Sequence, residues 1–135
     1  SRRGAMNPTI REATDDDMRL VHSSWHTAYW KTHAHKHILK DNYDEGMDRR
    51  IDRLLFRSHV LVAYFPEVPD EVLGWSAVEG DALHYVYVKA AYRRRGIATG
   101  LVEGRAKWYT HATDREGRVF LERMKLQYSP FLLER

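Results

Sequence analysis

Cysteine is absent from the 135 residues. That excludes a disulfide framework, a thiolate nucleophile and a Cys-based zinc site. No apolar run approaches the roughly 18 residues that a membrane-spanning helix needs, and no signal peptide follows Met6. A soluble cytoplasmic protein without a membrane partner is the default expectation. Internal repeats and low-complexity blocks are also missing. So is a strong surplus of one charge: Lys and Arg number 22 against 19 Asp and Glu, a net +3. Residues 1–5, "SRRGA", read as a cloning remnant, and without Arg2 and Arg3 the balance falls to 20 against 19, or +1. Bulk basicity therefore gives nucleic acid no support as a partner. What remains is a local cluster, Arg93, Arg94 and Arg95. Residues 6–135 suit a single domain, and a hydrophobic content of 43% fits an ordinary globular one.

"TIREAT" (9–14) predicts a short first strand. Thr14 then caps a helix whose first turn carries Asp15, Asp16 and Asp17 at the positive end of the dipole. Met18, Val21, Trp25, Ala28 and Tyr29 recur at three and four residues, carrying that helix to about Thr32. Met47, Ile51, Leu54 and Leu55 argue a second helix over 42–58. Three strand candidates follow, at 59–65, 71–79 and 82–90, separated by "PEVPD" and Gly80-Asp81. They predict an antiparallel meander. Residues 96–113 read as a helix anchored by Ile97, Leu101 and Trp108, and "RVFLERM" (118–124) as a last strand. The order predicts an α+β domain around a mixed, mostly antiparallel sheet flanked by helices.

The stretch "VYVKAAYRRRGIATGLV" (86–102) carries the chemistry. A strand that enters a glycine turn and then a helix makes an anion site, because the first helical N–H groups lack internal partners. Gly96 removes a side chain that would block a phosphate, Ala98 keeps the next position small, and arginines add bidentate donors. Gly-Lys-Ser/Thr is missing, so this is not a Walker loop. A solvated charge run, or an RNA-binding edge, is the bland alternative.

Arg93-x-x-Gly96-x-Ala98 resembles the Arg/Gln-x-x-Gly-x-Gly/Ala signature of the GNAT superfamily of acyl-CoA-dependent N-acyltransferases. The element order from residue 9 to residue 124 is similar as well. The resemblance implies acetyl-CoA as acyl donor, with Arg93, Arg94, Arg95, Gly96, Ile97, Ala98 and Thr99 at the pyrophosphate and Val86, Tyr87 and Val88 along the pantetheine. It implies transfer of an acetyl group to a primary amine, on a small molecule or on a protein lysine or N-terminus. The alternative of another class is a non-catalytic GNAT-like or basic module contacting nucleic acid or protein.

Amine acetylation needs a base for the amine and a proton for the leaving thiolate. His84 lies nine positions before Arg93, where the similar strand of arylalkylamine N-acetyltransferases carries a catalytic histidine. Period-two alternation puts His84, Val86 and Val88 on one face and Tyr85 and Tyr87 on the other. Glu79 and Asp81 are rival bases. The family's "Asn…Phe-Tyr…Gly-Phe" segment is missing, which leaves Tyr128 as candidate acid, with water as the substitute. In the family the first two helices wall the acceptor pocket, which points to Trp25, His26 and Tyr29, with Glu79, as substrate contacts, alongside Trp30. The histidines of "HAHKH" (33–37), with His22 and His26, have spacings that can hold zinc or nickel. No carboxylate or cysteine is fixed beside them by spacing, so they are read as solvated or core-lining and no metal is expected. The short C-terminus resembles compact GNAT-like proteins of bacterial viruses. A sheet ending at 118–124 would leave an apolar edge, so the tail "QYSPFLL" is expected to fold back over it or to cross into a homodimer.

Overall fold

A computed structural model describes residues 7–32, 40–111 and 115–131, without the side chains of 29–32 and 40–43. Strand β1 (Thr9–Glu12) leads into helix α1 (Asp15–Thr32), then α2 (Lys40–Arg57). The meander β2 (His59–Tyr64), β3 (Gly74–Glu79) and β4 (Ala82–Val88) follows. A 3-10 turn (Ala90–Tyr92) precedes helix α3 (Ile97–Val102), strand β5 (Trp108–Tyr109), helix α4 (Arg115–Arg123) and strand β6 (Gln127–Tyr128). One sheet holds all six strands in chain order. β1 to β4 are antiparallel, whereas β5 runs parallel to β4 and β6 parallel to β5.

The start of α1 shows how local sequence sets the frame. The Thr14 backbone N–H donates to Asp17 Oδ2 at 2.8 Å, while the Asp17 N–H returns a bond to the Thr14 carbonyl at 3.0 Å. This reciprocal cap satisfies donors that the helix cannot. Arg11 grips the same carboxylate at 2.7 and 3.2 Å, tying β1 to α1. The Arg11 hydrogen bond holds the Asp17 carboxyl below the usual carboxylate range.

Each face of the sheet has its own core. Val21 and Trp25 of α1 and Met47, Ile51 and Leu54 of α2 bury Val60, Val62, Trp75 and Ala77. On the opposite face, Ile97, Leu101 and Val102 of α3 and Leu121 of α4 cover Leu61, Ala63, Leu83, Val88 and Tyr109. Alternation along β2 sends 60 and 62 one way and 61 and 63 the other, as a sheet covered on both faces requires.

Two expected elements are corrected. The helix expected over 96–113 stops at Val102; Gly104, at φ +76°, breaks it, and Trp108-Tyr109 enters the sheet as β5. The strand expected at 118–124 lies in α4 and its C-terminal turn: Phe120, Leu121 and Met124 recur at helical spacing and pack on the α3 side. A Schellman-type end closes α4, with Leu126 N–H on the Leu121 carbonyl at 3.0 Å and Lys125 N–H on that of Glu122 at 2.9 Å. The tail then returns within the same chain: β6 pairs with β5, and the Ser129 N–H bonds the Tyr109 carbonyl at 2.8 Å. The edge it covers is therefore that of β5. Leu132 and Leu133 lie outside the described residues. No described helix is long and apolar enough to cross a membrane.

Candidate functional site

β5 pairs only with the first two residues of β4, Ala82 opposite Trp108 and Leu83 opposite Tyr109. From His84 to Val88 no strand among the described residues lies beside that edge of β4. Its backbone is directed there. Lys89 N–H bonds the Leu73 carbonyl at 2.9 Å, and the paired register continues through Tyr87 with Trp75 and Tyr85 with Ala77. The antiparallel alternation therefore turns the backbone groups of Val86 and Val88 outward. The open edge ends in the arginine loop.

That loop is held from several sides. The Tyr92 hydroxyl donates to Glu71 Oε2 at 3.0 Å, and its ring meets Phe65 edge-on at 5.9 Å. Arg93 Nε donates to the Val88 carbonyl at 2.9 Å, and the Arg95 guanidinium lies 5.8 Å from the Tyr92 ring centre. Arg94 adopts φ +64°, which L-residues rarely do. Gly96 is the N-cap of α3 at φ +79°, and a Cβ there would meet nothing within 4 Å. The glycine is thus demanded by backbone conformation rather than by crowding within the protein. Ile97 is buried, whereas Arg93, Arg94, Arg95 and Gly96 are exposed and Ala98 and Thr99 half-buried. α3 has only six residues, so its dipole is short.

At the other end of the open edge, His84 corrects the expected alternation. A bulge falls where the register passes from Ala77–Tyr85 to Val78–Leu83, leaving His84 unmatched. Leu83 consequently joins Val86 and Val88 on the α3 side, while Tyr85 and Tyr87 pack on the α1–α2 side. The His84 ring is 1% exposed. Its Nε2 lies 2.8 Å from Glu79 Oε1 and its Nδ1 2.8 Å from Thr110 Oγ1. Thr110 Oγ1 is also 3.1 Å from His111 Nδ1. On the outer side, Arg57 Nε and Nη2 donate to Glu79 Oε2 at 3.2 and 3.1 Å. Burial pushes the Glu79 carboxyl up, but the bonds from His84 and Arg57 outweigh it, so the carboxyl is held below its ordinary range. Glu79, with 20% of its side chain exposed, is the end of this chain that solvent reaches.

His111 packs against the same aromatic wall, 6.1 Å from Trp25, 6.5 Å from Tyr85 and 6.2 Å from His84, ring centre to ring centre. Burial lowers its pKa from 6.5 to about 4, against an opposing hydrogen bond with the His84 backbone. Below about pH 6.5 the unfolded chain takes up a proton at this position that the folded chain refuses until about pH 4. Stability should therefore fall by about 3 kcal/mol across that window as pH drops, and level off below it. Unfolding midpoints in urea at pH 7 and pH 4.5 check this: a His111→Gln variant should lose markedly less than the parent. Equal losses would assign the acid sensitivity elsewhere.

The other expected site residues divide. Trp25 is fully buried in the α1–α2 core, stacked on Tyr85 at 5.6 Å, and offers a substrate no surface, which corrects its place among the substrate contacts. His26 Nε2 faces Asp44 Oδ1 at 3.1 Å, and His22 Nε2 faces Asp52 Oδ1 at 3.2 Å. α2 thus supplies carboxylates that sequence spacing did not reveal, yet no three such groups among the described residues could hold a metal ion. The side chains of Tyr29 and Trp30, and His33, His35 and His37, lie outside the described residues. Asp81 contributes its carbonyl to the Lys107 and Trp108 N–H groups. Tyr128 is half exposed on β6, its ring 5.2 Å from that of Tyr109 in the α3-side core. The structure does not bring it to His84. Arg57, Thr110 and His111 were not anticipated. The β-branched and aromatic run Trp108-Tyr109-Thr110 was the available signal for the last two.

Neither a family model nor a curated protein matches the chain. Solved structures do. A candidate acetyl transferase from Pyrococcus furiosus is 15% identical, with a TM-score of 0.58 over 91% of this chain and 80% of that one. The aminoglycoside N-acetyltransferase AAC(6')-Iy, in complex with CoA, is 11% identical, with a TM-score of 0.54 over 90% and 89%. YjaB from Escherichia coli, in its apo form, is 18% identical, with a TM-score of 0.52 over 72% of this chain. The chain spans 63% of YjaB, and the same share of a GCN5-related N-acetyltransferase from Rhodopseudomonas palustris. At these identities what is shared is the fold.

Proposed function

We propose that this chain, which has the fold of the GCN5-related N-acetyltransferases, transfers an acetyl group from acetyl-CoA to a primary amine of a small molecule or of a protein. The observation that carries the reading is the open edge of β4, which leads from the buried His84 to the arginine loop. An extended pantetheine can pair with the outward N–H and C=O of Val86 and the N–H of Val88 as a missing strand would. The N–H groups of Arg95 to Thr99 then receive the pyrophosphate, with charge from Arg94 and Arg95 where the short α3 gives little. Arg93 already spends its Nε on Val88.

In the reaction, the neutral amine attacks the thioester carbonyl, the C–S bond breaks and an amide forms. Glu79, the exposed member of the Glu79–His84 pair, takes the amine proton directly or through water and returns it to solvent. His84 holds that carboxylate in place. The thiolate takes its proton from water, since Tyr128 packs with the other face of the sheet.

Thermal unfolding titrated with acetyl-CoA, followed by thiol release over a panel of amines, tests the reading. A saturable rise in Tm and amine-dependent free thiol are expected. No rise, or a rise without thiol release from any small amine or lysine peptide, would favour the non-catalytic binding module.

A further inference from the structure

Behind His84, at its Nδ1, lies the hydroxyl of a residue that neither the sequence motif nor the acyl-transfer chemistry points to. Glu79 is ionised at neutral pH and can only accept, so the hydrogen between it and His84 belongs to Nε2 of the ring. When the ring is neutral, Nδ1 then presents a lone pair. Thr110 Oγ1 lies 2.8 Å from it and 3.5 Å from the Leu83 carbonyl, so of its two acceptors Nδ1 is much the nearer. The same oxygen can accept from His111 Nδ1 at 3.1 Å. The opposite tautomer would turn a lone pair of Nε2 toward the Glu79 carboxylate, at 2.8 Å, and break the bond that holds it. His84 and Thr110 are each 1% exposed, so water is not at hand to substitute.

We propose that Thr110 is a positioning residue: its hydroxyl holds His84 at Nδ1, fixes the ring whose tautomer Glu79 sets, aims the Nε2–H at Glu79, and couples the ring to His111. Its part in catalysis rests on the acyl-transfer reading; its hold on the ring does not. The order of action is Thr110 on His84 and His84 on Glu79, with only Glu79 meeting the amine. Geometry supports the chain on three adjacent strands or their ends. Glu79 ends β3, His84 sits at the bulge of β4, and Thr110 follows β5, its N–H bonded to the Leu83 carbonyl at 3.1 Å.

The test uses two readouts on the parent, Thr110→Val and Thr110→Ser. The first is the 15N spectrum of the imidazoles without any substrate. All three should show His84 as the Nε2–H tautomer that Glu79 sets, with the Nδ1 resonance of the parent and Thr110→Ser that of a hydrogen-bonded acceptor and that of Thr110→Val that of an unbonded one. An unchanged Nδ1 resonance in Thr110→Val, or an Nδ1–H tautomer in the parent, overturns the proposal. The second is the pH dependence of acetyl transfer. Thr110→Val should lower kcat roughly 10-fold, at the low end of what a misplaced acid–base group costs, with the amine KM little changed and the acidic limb displaced. Thr110→Ser should restore both. A kcat loss in Thr110→Val that Thr110→Ser does not restore overturns the hydroxyl's role. If the parent acetylates no amine, acyl transfer itself fails, while the spectra still decide whether Thr110 holds Nδ1.

Discussion

Replacing Gly96 with glutamate is expected to abolish acetyl-CoA binding, while replacing it with alanine weakens it only a few-fold. Both variants pay for a side chain at φ +79°, about 1–2 kcal/mol. Neither collides with the protein, because a Cβ at this position meets nothing within 4 Å. The difference between the two is therefore charge and reach. A carboxylate about 4 Å from a phosphate opposes it by about 4 kcal/mol at the effective dielectric of a protein surface, and a pyrophosphate presents more than one charge. That is a loss of more than 100-fold. Isothermal titration with acetyl-CoA, on variants whose unfolding midpoints have first been compared, reads the effect. If the glutamate variant binds like the alanine variant, the pyrophosphate lies away from this loop. Binding by both that falls steeply with salt would show a contact held mainly by Arg94 and Arg95.

The parts of the fold that the sequence announces are those with long periods. Val21 and Trp25, then Met47, Ile51 and Leu54, mark two eighteen-residue helices, and Thr14 with Asp17 marks where the first begins. The meander is legible from its β-branched runs and turn residues. The arginine loop is legible because backbone chemistry there requires glycine. The region from 103 to 128 is hidden for physical reasons. β5 and β6 have two residues each, too few for any alternation to register. In α4 the neighbours Val119, Phe120 and Leu121 imitate a strand and mask the spacing of Phe120, Leu121 and Met124. The site is half legible in the same sense. His84 stands out by its distance from Arg93. The bulge that turns its ring has no signature in the pattern of side chains. Its partner Thr110 follows β5 and Arg57, the partner of Glu79, ends α2, so no local spacing names them.

The largest loss of turnover is expected from Glu79→Gln, roughly 100- to 10,000-fold in kcat, the usual yield of a well-placed proton acceptor. Glutamine has the shape of glutamate but one oxygen, which can keep the bonds from Arg57 and then turns an NH2 toward His84 Nε2, so unfolding midpoints are compared before rates; acetyl-CoA affinity should change little. It cannot take a proton. The depressed pKa of Glu79 makes it a weak base for each encounter, yet keeps it ionised throughout the neutral range. A strong distinction follows from His84→Ala. If Glu79 receives the proton and His84 holds it, the alanine variant loses turnover through misplacement. Its acidic limb should then move toward the ordinary carboxyl range, because the first of the bonds that lower the Glu79 pKa is gone. If His84 itself receives the proton, the alanine variant loses the limb altogether and Glu79→Gln retains it. Steady-state rates of thiol release from pH 3 to 9, over the range in which each variant stays folded, separate the two. Near-parent turnover in both variants would remove the pair from catalysis and leave Asp81 or a backbone-held water as the acceptor.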